Sequence, residues 1–87
     1  MKKYIDPFLY NVPQLDVHGF DRYGAVAMIK NFIDNNYRID NKKLVIVHGR
    51  GYGILRKATH DYLKTDRRVL EYKMEYYNDG QTVVTLK

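Results

Sequence analysis

Lys43-Leu-Val-Ile-Val-His-Gly-Arg-Gly-Tyr-Gly-Ile-Leu-Arg56 is the stretch whose reading decides the fold. Leu44 to Val47 is a short, wholly apolar, β-branched run, which is the pattern of a buried strand covered on both faces. It ends in His48, after which glycine recurs at Gly49, Gly51 and Gly53. Beyond the glycines, Ile54, Leu55, Ala58, Tyr62 and Leu63 fall at helical spacing. The unit is therefore strand, glycine loop, helix. Such a loop offers free backbone N–H groups, a helix dipole aimed at the ligand and no Cβ to block close approach, so it suits an anion. Arg50 in the loop and Arg56 one turn into the helix add forked donors matched to phosphate.

Working outward, Leu15-Asp-Val-His-Gly19 alternates, with Leu15 and Val17 on one face and Asp16 and His18 on the other. It reads as a first strand and its exit. Asp21 is placed to cap a helix. Ala25, Val26, Met28, Ile29, Phe32 and Ile33 follow at i, i+3, i+4, i+7, which predicts a helix over residues 22–37. The second helix is expected over about 53–64. Alternation over 68–77 predicts a third strand, Asn78-Asp-Gly80 a hairpin turn, and 81–86 a fourth strand. The fold class is α/β: a two-layer sandwich in the order β-α-β-α-β-β with a mixed sheet. Residues 1–14, broken by Pro7 and Pro13, are expected as an extended N-terminal arm, and 15–87 as the domain proper.

Eighty-seven residues allow one modest core. The chain has no cysteine, which excludes disulfides and thiolate zinc sites, and no serine, which excludes a serine nucleophile. No apolar run approaches the roughly 18 residues of a membrane span, and the N-terminus lacks a signal-peptide core, so the cytoplasm is the expected location. The formal charge is +5. Between residues 42 and 68, eight Lys/Arg face only Asp61 and Asp66, which is expected to surround the glycine loop with positive charge and points to a polyanion, nucleic acid first. Most of the nine tyrosines are expected in or half in the core.

Both strands of the first β-α-β unit end in His-Gly. Parallel strands carry their carboxyl ends to one sheet edge, so His18, His48 and the glycine loop should converge there. Asp16 is expected to orient His18 through a hydrogen bond. His60, between Thr59 and Asp61 on the second helix, is expected as a solvated surface histidine. The loop is neither the G-x-G-x-x-G fingerprint nor a Walker loop, and Asp16 and Asp21 are the only carboxylates near this edge, too few for two-metal chemistry. Phosphodiester chemistry by histidines and arginines remains. One histidine takes a proton from the attacking hydroxyl, another group returns one to the leaving oxygen, and arginines with loop amides hold the charged phosphorus centre. RNA carries its own 2′-OH nucleophile and needs no metal. DNA needs an activated water, for which Mg²⁺ or Mn²⁺ near Asp16 is the alternative.

Three segments, Leu15–Gly19, His48–Arg56 and Gly80–Leu86, resemble the signatures of the small MutS-related (Smr) domain, L-D-[LV]-H-G, H-G-[RK]-G-x-G-x-L-[RK] and G-x-T-x-V-x-L. The resemblance implies a sandwich similar to the C-terminal domain of bacterial translation initiation factor three. It implies an endonuclease that nicks DNA or cuts RNA. It places the site at Asp16, His18, His48 and Arg50 with the glycines Gly49, Gly51 and Gly53; from the basic stretch itself, Arg56 and Lys57 are expected to join these glycines against phosphate. It departs from the pattern at Arg22-Tyr23-Gly24, where the family usually has a glutamate, and at Asp79-Gly80, where it usually has Gly-Gly. The chain reads as a stand-alone copy. A nucleic-acid or ribosome-binding module that does not cut is the alternative function.

Overall fold

The structure is a computed structural model that describes residues 12–75 and 78–87. The order is β1 (Gln14–Asp16), α1 (Arg22–Arg38), β2 (Lys43–Val47), α2 (Ile54–Leu63), β3 (Val69–Glu75) and β4 (Asn78–Leu86). The four strands form one sheet in the order β1-β2-β4-β3. β1 runs parallel to β2, with Asp16 opposite Val47, and β4 runs antiparallel to both β2 and β3. The expected two-layer α/β sandwich is the one observed. Ala25, Ile29 and Ile33 of α1 and Leu63 of α2 are buried in one cluster with Val17, Leu44, Ile46, Val84 and Leu86. Alternation sends Val45 to the other face, where it packs with Val83, Val12 and Val47.

Local chemistry sets the helix ends. Asp21 caps α1, its Oδ1 accepting from the Gly24 amide at 2.7 Å. At the far end the Asp40 amide donates to the Tyr37 carbonyl and the Asn41 amide to the Asn36 carbonyl, a Schellman closure. Asp40 itself takes the left-handed conformation, φ 60°, which glycine adopts without cost. α2 starts at Gly53, which is left-handed at φ 79° and leaves the helix without a side-chain cap.

One polar network ties the layers together away from the glycine loop. Arg68 donates through Nε and Nη2 to the two carboxylate oxygens of Asp66 at 3.0 Å each, and through Nη1 to Asp34 of α1 at 3.0 Å. Tyr62 of α2 donates its hydroxyl to Asp66 at 2.6 Å. The Arg68 guanidinium is first among the groups that hold the Asp66 carboxyl down to about 2, and burial with the Asp66 hydrogen bond pushes the Tyr62 hydroxyl up to about 12.

Two expectations are corrected. Asn78–Gly80 is not the hairpin turn. Glu75 already pairs with Asn78, so those residues open β4 and the connection falls on 76 and 77, outside the described residues. The reason is Gly80, whose carbonyl accepts from both the His48 and Gly49 amides, at 3.0 and 2.9 Å, and so belongs to the sheet. The expected basic surround is also divided. Lys42 and Lys43 lie at the start of β2 and Arg67 and Arg68 before β3, at the sheet edge opposite the loop. The expected arm over 1–14 falls almost wholly outside the described residues. Within them, the Pro13 carbonyl accepts from Val45 and Gln14 already belongs to β1.

Two stability measurements check this account. Asp40→Gly relieves the left-handed residue and should raise the unfolding free energy by up to about 1 kcal/mol in a urea titration. Asp66→Asn should lower it by about 2 kcal/mol at neutral pH, the equivalent of a carboxyl held from 3.8 down to about 2. The stabilisation is complete above the unfolded value and is lost as pH falls through the folded one, so the gap between the proteins should close toward pH 2.

Candidate functional site

Parallel pairing of β1 with β2 continues one residue past β1, where the Val17 amide donates to the Val47 carbonyl at 2.8 Å. The two His-Gly exits therefore leave the sheet side by side. A Cβ built on Gly49 would stand 3.5 Å from the Cβ of His18. Between the exits lies a cleft of about 340 Å³ lined by His18, Gly19 and residues 48–56. The expected convergence of the two strand exits and the glycine loop is what the backbone shows.

The side chains divide. His18 is exposed, and Asp16 holds it twice: one carboxylate oxygen, Oδ1, accepts from the His18 backbone amide at 3.0 Å and from ring Nδ1 at 2.5 Å. A carboxylate only accepts, so Nδ1 carries a proton and Nε2 is the nitrogen left for proton exchange. His48 is buried, 3% exposed. Its Nδ1 donates to the Gly49 carbonyl at 2.9 Å, and its Nε2 lies 2.8 Å from Oγ1 of the fully buried Thr82 on β4. The second histidine of the pair thus faces the interior, because β4 and not another parallel strand flanks β2 and presents a hydroxyl to it.

Thr82 Oγ1 has a further partner, Nε2 of His60 at 2.8 Å. When His48 is neutral, the Gly49 carbonyl holds its proton on Nδ1, and Nε2 accepts from the Thr82 hydroxyl. That hydroxyl then accepts from His60 Nε2–H. The result is a directed chain from His60 through Thr82 and His48 to the carbonyl at the root of the glycine loop. His60 is therefore not the solvated histidine expected. It is half-buried, edge-on to His48 at 5.9 Å between ring centres and tilted against Tyr72 at 5.0 Å. Burial, then the neighbouring His48, Arg56 and Lys64, lower its pKa, and Asp61 opposes them. Spacing along α2 concealed this, but Thr82 was a readable signal. It shares one face of β4 with Val84 and Leu86, both buried, and a hydroxyl at a core position needs a partner.

The loop turns on its glycines. Gly53 donates to the Arg50 carbonyl at 3.2 Å, and a Cβ on Gly53 would come within 2.8 Å of Arg56 Nη2 as well as straining its positive φ. The Arg56 guanidinium therefore folds over the uncapped start of α2, whose first N–H groups have no intrahelical acceptor. Arg50 is exposed on the loop. Lys57 pairs with Asp61 at 2.9 Å. Among the described residues no three His, Asp or Glu side chains lie close enough together to hold a metal ion.

Comparison with known proteins agrees with this fold. The Smr domain family model matches residues 15–87, and the chain belongs to that family. Over 73 residues, 84% of this chain and 9% of the relative, it is 36% identical to Endonuclease MutS2 of Clostridium tetani. It is 38% identical over 77 residues, 85% of this chain, to Endonuclease MutS2 of Clostridium botulinum, and spans 10% of that protein. The crystal structure of the Smr domain of Thermus thermophilus MutS2 superposes with a TM-score of 0.85 at 26% identity, covering 87% of this chain and 99% of that one. YdaL, a stand-alone small MutS-related protein from Escherichia coli, shares the fold with a TM-score of 0.80 at 19% identity, over 85% of this chain and 63% of that one. Among the described residues no helix is long and apolar enough to cross a membrane.

The histidine chain carries a signed pH dependence. The groups facing His60 are His48 just past β2, Thr82 of β4, Tyr72 of β3, and Arg56, Asp61 and the capping Lys64 along its own helix. Its folded pKa lies below 6.5, so the unfolded chain takes up the proton first. The contribution is complete above about pH 6.5 and is lost as pH falls through the lower folded value. Thermal unfolding followed by circular dichroism should show a midpoint that is level above neutral pH and drops progressively as pH falls below 6.5. His60→Gln, which keeps a donor for Thr82 but cannot titrate, should flatten that drop.

Proposed function

We propose that this Smr domain is a nucleic-acid endonuclease whose cleft holds a phosphodiester between the glycine loop and His18. The observation that carries the reading is the Asp16–His18 pair standing exposed at the mouth of that cleft. Arg50, Arg56 and the amides that open α2 bind the phosphate, with the glycines of the loop admitting its oxygens close to the backbone. On RNA, His18 Nε2 takes the proton of the 2′-OH, whose oxygen attacks phosphorus. The bond to the 5′-oxygen breaks, that oxygen takes its proton from solvent water, and the products end in a 2′,3′-cyclic phosphate and a 5′-hydroxyl. Asp16 fixes the ring tautomer and stabilises the imidazolium that forms. His48 and Thr82 act behind the loop, not on the substrate. MutS2 relatives named as endonucleases support this reading, although the chain spans only about a tenth of their length.

The burial of His48 favours a second reading, a nucleic-acid or ribosome-binding module that does not cut. It turns both ring nitrogens of the second imidazole to the Gly49 carbonyl and Thr82, away from the proton exchange that metal-free acid–base chemistry would use.

The pure protein, incubated with labelled RNA, single-stranded DNA and supercoiled plasmid, each in EDTA and in Mg²⁺ or Mn²⁺, separates the two. Cleavage of RNA in EDTA, leaving cyclic-phosphate ends, supports the metal-free version. 5′-Phosphate ends formed only with metal move the chemistry to a metal-activated water near Asp16. Binding without cleavage under every condition establishes the module. For the nuclease, His18→Ala should lower the rate by about 10²- to 10⁴-fold, the usual contribution of one acid–base group, while leaving affinity nearly unchanged. Arg50→Ala should weaken binding on all sequences alike and reduce its salt dependence.

A further inference from the structure

Most of the nine tyrosines were expected in or half in the core; of the five among the described residues, Tyr23, Tyr37 and Tyr52 are exposed. The exposure is concentrated. Of the seven large apolar side chains exposed among the described residues, four follow the exits of β1 and β2 at the site edge: Phe20, Tyr23, Tyr52 and Ile54. Tyr52 is 100% exposed. It stands between Gly51 and Gly53, both with positive φ, so the turn that forms the phosphate loop also lifts this ring clear of the domain. A turn needing only a polar residue would carry no aromatic ring here. Phe20 is 51% exposed, and its ring lies over Gly24, where a Cβ would come within 3.8 Å of Phe20 Cδ1. The ring thus lies at contact distance from the backbone that opens α1, beside the Asp21 cap.

The charge beside these rings selects the partner. Asp16 is engaged by His18, Asp21 by the Gly24 amide and Asp61 by Lys57; Arg22 lies over the Tyr23 ring at 5.3 Å, and Arg50 and Arg56 belong to the same edge. An apolar protein surface would satisfy the rings but bring nothing for the arginines. A nucleotide strand supplies both, a flat π-face on each base and an anionic link between bases. In a duplex those faces are buried in the stack, so they reach a protein ring only when unpaired.

We propose that Phe20 and Tyr52 take unpaired bases on either side of the phosphodiester held by the glycine loop, so that the ligand is single-stranded nucleic acid. The proposal rests on the phosphate-binding reading of the cleft and adds to it the strand state of the substrate. The shared chemistry is an unpaired base beside a phosphate, which RNA and DNA both offer.

Fluorescence anisotropy in EDTA tests it. The probes are a labelled 2′-O-methyl RNA of about a dozen nucleotides, the same sequence as single-stranded DNA, its blunt duplex, and an abasic strand with the same phosphates. Wild type should bind at least one of the two single strands more tightly than the duplex or the abasic strand, and whichever arm binds identifies the strand chemistry. Tyr52→Ala and Phe20→Ala should each weaken single-strand binding by roughly 5- to 150-fold, the range for loss of one stacked base. Tyr52→Phe should restore it, and binding to the abasic strand should not change. Tyr52 touches nothing that holds the fold, so its variants should unfold at the wild-type temperature. Equal affinity for duplex and single strand, or unchanged affinity in both alanine variants while Arg50→Ala still weakens binding, overturns this proposal and leaves the phosphate reading standing. No binding of any probe by wild type at low salt overturns both.

Discussion

Parallel pairing of β1 with β2 is the constraint on which the rest of the structure depends. It is short, with Gln14, Leu15 and Asp16 opposite Val45, Ile46 and Val47, and one further bond from Val17. That register sends two chemically similar exits out of the sheet at one edge. Everything that defines the cleft follows: Gly49 beside His18, the glycine loop beyond it, and the uncapped start of α2. A slip of one residue would exchange the faces of β1, sending Asp16 inward and Val17 out.

The two histidines at those exits do opposite work because their neighbours differ. Among the described residues β1 is an edge strand of the sheet, and His18 stands exposed beside Asp16. β2 lies between β1 and β4, so His48 meets Thr82. Insertion of β4 between β2 and β3 is what supplies the hydroxyl, and with it the link to His60 on the second helix. The same motif letters thus define a solvent-facing group in one case and an internal brace for the phosphate loop in the other.

The elements were legible where periodicity was strong. Apolar spacing in α1, the Asp21 cap, the apolar run of β2 and the glycine loop all stand as read, within a residue or two at their ends. What escaped was set by strand order. Nothing local shows that β4 enters the middle of the sheet, so nothing local paired Thr82 with His48 or brought His60 to it. Asn78-Asp-Gly80 carries good turn chemistry, yet the Gly80 carbonyl is claimed by two amides of β2's exit, and tertiary hydrogen bonding outweighed local preference. The basic count was correct as a count, but strand direction places Lys42, Lys43 and Arg68 at the opposite edge from the loop, with Arg68 inside a structural network.

The double acceptance by Gly80 has an entropic consequence. It clamps the chain as far as Gly49, while Gly53 is already bonded into the first turn of α2 through Lys57. Backbone freedom that a bound anion would have to quench is thereby confined to the turn that the Gly53 amide closes on the Arg50 carbonyl. At roughly 1–2 kcal/mol per residue ordered, a loop clamped at both ends forfeits a few kcal/mol on binding where an open glycine loop of the whole length would forfeit about twice as much. The sheet, and not the ligand, does most of the ordering.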